Sequence, residues 1–163
     1  MIRNAAKALI IENNKVLMIK FQNTVANMLD DLPVGEYYYD LPGGGQNQYE
    51  TLEEAVQREC LEETGYTIKV NRLAAVYEEM FMSQDFRNDW PDYAHKVHFL
   101  FVCQITDTPK QPPAEADHDM VGAVWVDLAD IAAGFGLRPR IIRDNFRRVL
   151  ACEHTLYLGS ARY

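Results

Sequence analysis

The chain has 163 residues, 48% hydrophobic and 25% charged, which fits a single folded domain over residues 1–163 with a sizeable core. A net charge of −8 with no Lys/Arg-rich stripe argues against general nucleic-acid binding, so no DNA or RNA duplex partner is expected. No apolar run reaches membrane-spanning length, Met1-Ile2-Arg3-Asn4 reads as the start of a strand and not a signal peptide, and Cys60, Cys103 and Cys152 lack any CxxC spacing, which together point to a cytoplasmic protein with reduced thiols.

Residues 5–11 and 16–21 are apolar runs separated by Glu12-Asn13-Asn14-Lys15, a pattern that predicts a hairpin. Residues 22–36 are polar and broken by Pro33 and Gly35, hence a loop. Residues 37–41 form a short aromatic strand with Tyr37 and Tyr39 on one side and Tyr38 on the other. The strand runs into Pro42-Gly43-Gly44-Gly45, expected as a turn whose backbone can approach a ligand closely because no Cβ intervenes.

Thr51 and Glu54 form a capping box, and Leu, Glu, Ala, Gln and Arg then continue a helix over 52–64 that Gly65 stops. Leu52, Ala55, Val56 and Cys60 make its core-facing stripe. Glu59, Glu62 and Glu63 stand at i, i+3 and i+4, so their carboxylates converge on a neighbouring face. Three close carboxylates repel one another unless a cation sits among them, and hard ions such as Mg²⁺ take oxygen ligands of this kind. A solvated acidic face is the ordinary alternative. The triple glycine directly before the helix favours a loop–helix metal site.

Residues 67–82 are β-branched and aromatic, one bent strand or two. Residues 83–94 read as a loop carrying Trp90 and Tyr93, where exposed aromatics often touch ligands. Residues 95–106 form a strand on which His95 and His98 face opposite sides and cannot share a metal. A loop with three prolines and several acids covers 107–119, followed by a strand over 122–126 with Trp125 in the core and a short helix over 127–132. Pro139 opens a helix to about residue 153 with Ile142, Phe146, Val149 and Leu150 inward. This order predicts an α/β class: a mixed sheet with a helix on either side.

Gly44, Glu50, Arg58, Glu59, Cys60, Glu62, Glu63, Gly65 and Tyr66 reproduce the pattern Gly-x5-Glu-x7-Arg-Glu-U-x-Glu-Glu-x-Gly-U without a gap or substitution, where U is a bulky apolar residue. Chance would produce it on the order of once per billion start points at average residue usage. The chain therefore resembles the Nudix hydrolases, MutT-like proteins, with the motif itself lying in residues 41–66. The resemblance implies an α/β/α sandwich with a mixed β-sheet between helices. It implies divalent-metal-dependent hydrolysis of a pyrophosphate bond in a nucleoside di- or triphosphate or a nucleoside-diphosphate derivative, with Mg²⁺ or Mn²⁺ as cofactor.

By position in that motif, Glu59, Glu62 and Glu63 would be carboxylate metal ligands and the Gly44 carbonyl a further one. Arg58 would orient the glutamates, with Glu50 as its organising partner. Glu59, Glu62 and Arg58 are thus the expected catalytic residues. The general base is either a box glutamate or a residue of the late loop, where Asp119 and Glu115 stand out among Glu115, Asp117, His118 and Asp119; a solvated acidic loop competes with that role. Tyr39, Trp90 and Tyr93 are candidates to contact the nucleotide, as are Phe21 and the other strand tyrosines, with plain packing the competing role. A small-molecule nucleotide is the expected partner, no membrane is expected, and a homodimer is left open.

Markers of subclass lie downstream of the motif: a proline about sixteen residues on for ADP-ribose hydrolases, and a tyrosine slightly further for dinucleoside-polyphosphate hydrolases. Phe81, Met82, Ser83 and Gln84 occupy that zone, so neither is present. A nucleoside di- or triphosphate is the default substrate and an NDP-sugar the runner-up. A Nudix-like sensor without catalysis would show a degraded motif, and none of these glutamates is lost. An isomerase or scaffold on the same fold has no positive feature in the sequence.

Overall fold

A computed structural model of the chain describes residues 1–24, 32–114, 119–133 and 135–163. Strands β1 (Arg3–Glu12) and β2 (Lys15–Gln22) form the predicted hairpin, turned by Asn13 and Asn14 at positive φ, a conformation Asn tolerates better than most residues. They pair only at Ile11–Val16 and Glu12–Lys15, then part. The chain returns through the gap: β3 (Tyr37–Asp40) pairs with the end of β2, and β4 (Gly43–Gly45) pairs antiparallel with residues 5–7 of β1. The glycine segment is therefore a short strand and not a turn. The parting of β2 leaves an edge of β1 open, and a segment without side chains fits tightly against it.

Helix α1 (Leu52–Thr64) matches its predicted span, with the Thr51–Glu54 capping box formed and Gly65 in the left-handed conformation at its end. Strand β5 (Ile68–Met80) is one strand with two register irregularities. Residues 83–94, expected as a loop, include helix α2 (Gln84–Asp89), whose N-terminus the Ser83 hydroxyl caps at Phe86. Strand β6 (His95–Ile105) lies parallel to β1 and antiparallel to β5. Strand β7 (Met120–Asp127) pairs with β2, and helices α3 (Leu128–Ala132) and α4 (Arg140–Ala151) follow. A last strand, β8 (Leu156–Arg162), went unread in the sequence and joins the sheet parallel to β5. The sheet order is β3-β2-β1-β6-β5-β8, with β4 on β1 and β7 on β2.

The sheet separates two cores. On the α1 side, Ala6, Ala8, Ile10, Leu17, Phe101 and Cys103 pack with Ala55, Val56 and Cys60. On the other side, Leu9, Met18, Tyr77 and Leu100 pack with Ile142, Phe146 and Val149 of α4. Each fully buried Leu or Ile contributes about 1.5–3 kcal/mol. This is the predicted mixed sheet between helices. Leu150 is a correction: it is 38% exposed, because Ile142, Phe146 and Val149 already define the inward stripe and Leu150 falls to its side. Trp125 is half-buried and meets Tyr66 edge-on. Cys60 and Cys103 are buried and Cys152 half-buried, all free thiols.

Candidate active site

Arg58, halfway along α1, organises the carboxylates. Its Nε and Nη2 donate to the two oxygens of Glu50 at 2.7 and 3.0 Å, a bidentate pair. Its Nη1 donates to Glu59 Oε1 at 2.8 Å and to Glu62 Oε2 at 3.0 Å, and Nη2 also reaches the Gly45 carbonyl at 3.0 Å. The carboxylates, Glu50 first, hold the guanidinium above its ordinary pKa, and the Arg58 hydrogen bonds hold the Glu50 carboxyl below its own against a smaller opposing effect of burial. One oxygen each of Glu59 and Glu62 is engaged by Arg58, and the other is left for a second partner.

The glycine strand closes on this helix face. A Cβ at Gly44 would overlap the Glu59 carboxylate, so only glycine lets backbone and carboxylate come together. The Gly43 N–H donates to Glu63 Oε2 at 2.8 Å. Burial pushes the Glu63 carboxyl up to about 7, although Lys7 and the Gly43 N–H draw it down.

Lys7 was missed by the sequence reading. It is 8% exposed, and its ammonium donates to Asp40 Oδ2 at 2.7 Å and to the carbonyls of Leu41 and Gly43 at 3.1 and 2.7 Å. It ties the end of β3 to the start of β4 where β1 and β2 part. Burial alone would lower its pKa, but Asp40, Glu63 and Glu79 outweigh that and raise it. A lysine in the middle of an apolar strand run is the sequence signal that could have found it, since a charge there must be paired. Behind it, the His98 ring stacks on Tyr77 at 4.6 Å and its Nε2 lies 2.6 Å from Glu79 Oε2. Burial holds the His98 imidazole below its ordinary pKa despite that carboxylate.

Among the described residues, no three His, Cys, Asp or Glu side chains converge closely enough to hold a metal ion as they stand, because Glu59 and Glu62 are turned onto Arg58. The donor chemistry nevertheless suits a hard cation. Every candidate ligand offers oxygen, and Arg58 engages only one oxygen each of Glu59 and Glu62.

Other expected site residues lie elsewhere. Asp119 sits where β7 begins, its carbonyl accepting from the Gln22 N–H and its Oδ1 from the Thr24 hydroxyl at 2.7 Å. Glu115, Asp117 and His118 lie outside the described residues. The Tyr39 ring packs on Phe135 at 4.3 Å against the α4-side core. Phe21 stacks on Tyr38 at 5.2 Å, and Lys20 lies over Tyr37 at 3.8 Å. Trp90 and Tyr93, 55% and 43% exposed, meet edge-on, and the Tyr93 ring covers the Arg3 guanidinium. His98 is buried, whereas the half-exposed His95 approaches Glu78 at 3.9 Å.

The sequence pattern of the NUDIX domain matches residues 1–146. An ADP-ribose pyrophosphatase of Methanocaldococcus jannaschii is 40% identical over 143 residues, 88% of this chain and 72% of that protein. A putative nudix hydrolase of Caenorhabditis elegans is 32% identical over 99 residues, 61% of this chain; the match spans only 22% of that longer protein. Among solved structures, a NUDIX hydrolase from Nitrosomonas europaea shares the fold, with a TM-score of 0.69 over 93% of this chain and 90% of its own at 19% identity.

Proposed function

The chain belongs to the NUDIX family and is a pyrophosphohydrolase, and from that premise we propose that it cleaves a nucleoside diphosphate linked to a second moiety, with ADP-ribose the leading substrate. The 40% identity to an ADP-ribose pyrophosphatase supports this substrate. The Arg58 network carries the assignment of the site: one arginine orders Glu50, Glu59 and Glu62 beside the backbone of Gly44 and Gly45.

Enzymes of this family generally use divalent metal ions. Glu59, Glu62, Glu63 and the Gly44 carbonyl would hold Mg²⁺ or Mn²⁺ here, and the bound ion would neutralise phosphoryl charge and lower the pKa of a water. Arg58 keeps Glu59 and Glu62 at fixed positions on α1, and Glu50 fixes Arg58 in turn. The backbone of Gly44 comes against Glu59 without a side chain to block a substrate. A carboxylate takes the proton of the attacking water, either Glu59 within the box or Asp119 beside Thr24. Separate measurement of metal affinity and kcat decides between them: Asp119→Asn lowers kcat alone if the loop supplies the base, and Glu59→Gln removes both if the box does.

A second reading, a nucleoside di- or triphosphate substrate, is favoured by Phe81, Met82, Ser83 and Gln84, where ADP-ribose hydrolases tend to carry a proline. One assay compares the two. The purified protein is given ADP-ribose, NDP-sugars and nucleoside di- and triphosphates with Mg²⁺, Mn²⁺ or EDTA. ADP-ribose should yield AMP and ribose 5-phosphate with metal only. Full turnover in EDTA would overturn the metal dependence, and release of product from none of the compounds would overturn the function.

A further inference from the structure

Gly45 ends the glycine strand, and the carboxylate cluster gives no reason for a glycine there. Along a strand, successive side-chain positions point to opposite faces. A Cβ at Gly44 would meet Glu59, but one at Gly45 would overlap the guanidinium of Arg3, whose Nη2, Nε and Cζ all crowd that position. The Tyr93 ring covers the same guanidinium, with Cζ 4.7 Å from the ring centroid, and Trp90 braces Tyr93 edge-on at 6.2 Å. The third glycine therefore makes room for an arginine, and an aromatic ring holds that arginine in place.

The Arg3 guanidinium has no carboxylate partner and donates no hydrogen bond among the described residues, in a chain with 24 acidic and 16 basic side chains. Stacking on a ring uses the face of a guanidinium and leaves its in-plane N–H fork open. The fork lies one residue along the glycine strand from the position facing Glu59, and the Gly45 carbonyl accepts from Arg58. A planar fork of donors one residue along the glycine strand from the position facing Glu59, on the strand's other face and without an acceptor among the described residues, matches two oxygens of a phosphate.

We propose that Arg3 is a substrate-binding residue that takes phosphate oxygens of the nucleoside diphosphate, and that Tyr93 is the positioning residue that fixes its guanidinium. The assignment rests on the pyrophosphohydrolase reading above. It also gives the aromatics of residues 83–94 a role at the site through Arg3.

The test is steady-state kinetics on ADP-ribose together with calorimetric binding of the non-hydrolysable analogue α,β-methylene-ADP, for wild type, Arg3→Ala, Arg3→Lys, Tyr93→Phe and Tyr93→Ala. Arg3→Ala should raise KM and weaken analogue binding about tenfold, with kcat within about threefold, as expected for loss of a charge-assisted contact. Arg3→Lys should recover part of that loss, Tyr93→Phe should match wild type, and Tyr93→Ala should weaken analogue binding severalfold. The assignment is overturned if Arg3→Ala binds the analogue within twofold of wild type, or if only kcat falls. Should Arg3→Ala not fold, Arg3→Gln carries the same criterion. Wild-type protein that neither binds the analogue nor cleaves any nucleotide overturns the hydrolase reading itself. Active wild type with unaffected Arg3 variants overturns this assignment alone.

Discussion

On the α1 face of β1, Ala6, Ala8 and Ile10 pack against Ala55, Val56 and Cys60 without a charge among them. On the opposite face of the same strand, Lys7 is buried against Asp40, with His98 on the adjacent β6 and Tyr77 and Glu79 on β5 beyond it. The first face fixes α1 by volume and leaves the Glu59 and Glu62 carboxylates half-buried at its rim. The second holds buried charges that must balance one another. The apolar face can therefore lose a methyl group and relax, whereas the polar face cannot lose one partner without leaving another exposed to a low dielectric. Lys7 belongs to both, because its ammonium on the polar face holds the carbonyls of the glycine strand that borders the carboxylates.

The largest expected effect comes from breaking the polar face. Lys7→Met keeps the side-chain length but leaves Asp40 and Glu79 short of positive charge and strips a donor from Leu41 and Gly43. Loss of one partner of a buried pair costs about 3–5 kcal/mol, read from urea unfolding of metal-free protein at pH 8. A loss smaller than that of the apolar-face variant below would erase the contrast between the faces.

At the rim, Glu62→Gln should leave unfolding midpoints unchanged and lower kcat by about a thousandfold, ~4 kcal/mol of barrier. Retention of more than about a tenth of wild-type turnover, a loss under ~1.4 kcal/mol, would mean Glu62 is not a principal ligand. On the apolar face, Val56→Ala should cost about 2 kcal/mol of stability through a small cavity, with KM and kcat unchanged. A Val56 variant that lost turnover while folded would show that packing, and not charge, sets the site.

The smallest effect sharpens the comparison by pH. His98 faces Glu79 from β5, Lys96 on its own strand, Lys7 from β1 and the Tyr77 ring, and its folded pKa lies below the ordinary value of 6.5. The unfolded chain thus takes up a proton at 6.5 that the folded chain still refuses. The stability tied to neutral His98 is complete above that pH and is lost as pH falls toward the folded pKa, with a slope of at most about 1.4 kcal/mol per pH unit. Glu63, raised to about 7, takes up its proton on folding in the same window and stabilises in the opposite direction, so His98 is read from the difference: between pH 7 and pH 5 the urea midpoint of wild type should fall relative to that of His98→Gln. Equal slopes would remove His98 from the account.

Helix α1 was legible in the sequence because everything that defines it is local: a capping box three residues wide, good helix formers, and a glycine stop. The same holds for the β1–β2 hairpin, and for Arg58, Glu59 and Glu62, whose spacing along a helix brings them within reach of one another wherever the helix sits. Composition and pattern likewise carried the mixed sheet between helices.

Tertiary structure decided the rest. The glycines became a strand because β2 leaves β1, an event no local pattern announces. Strand β8 is held by parallel pairing with β5 across some eighty residues of sequence. Lys7 finds Asp40 thirty-three residues away, and Arg3 meets Gly45 and Tyr93 from two distant segments. Hydrogen bonds within a helix turn and side chains three or four residues apart are fixed by backbone geometry that each residue carries with it. Pairing of strands and neutralisation of buried charge depend on partners that only the closed fold brings to the same place.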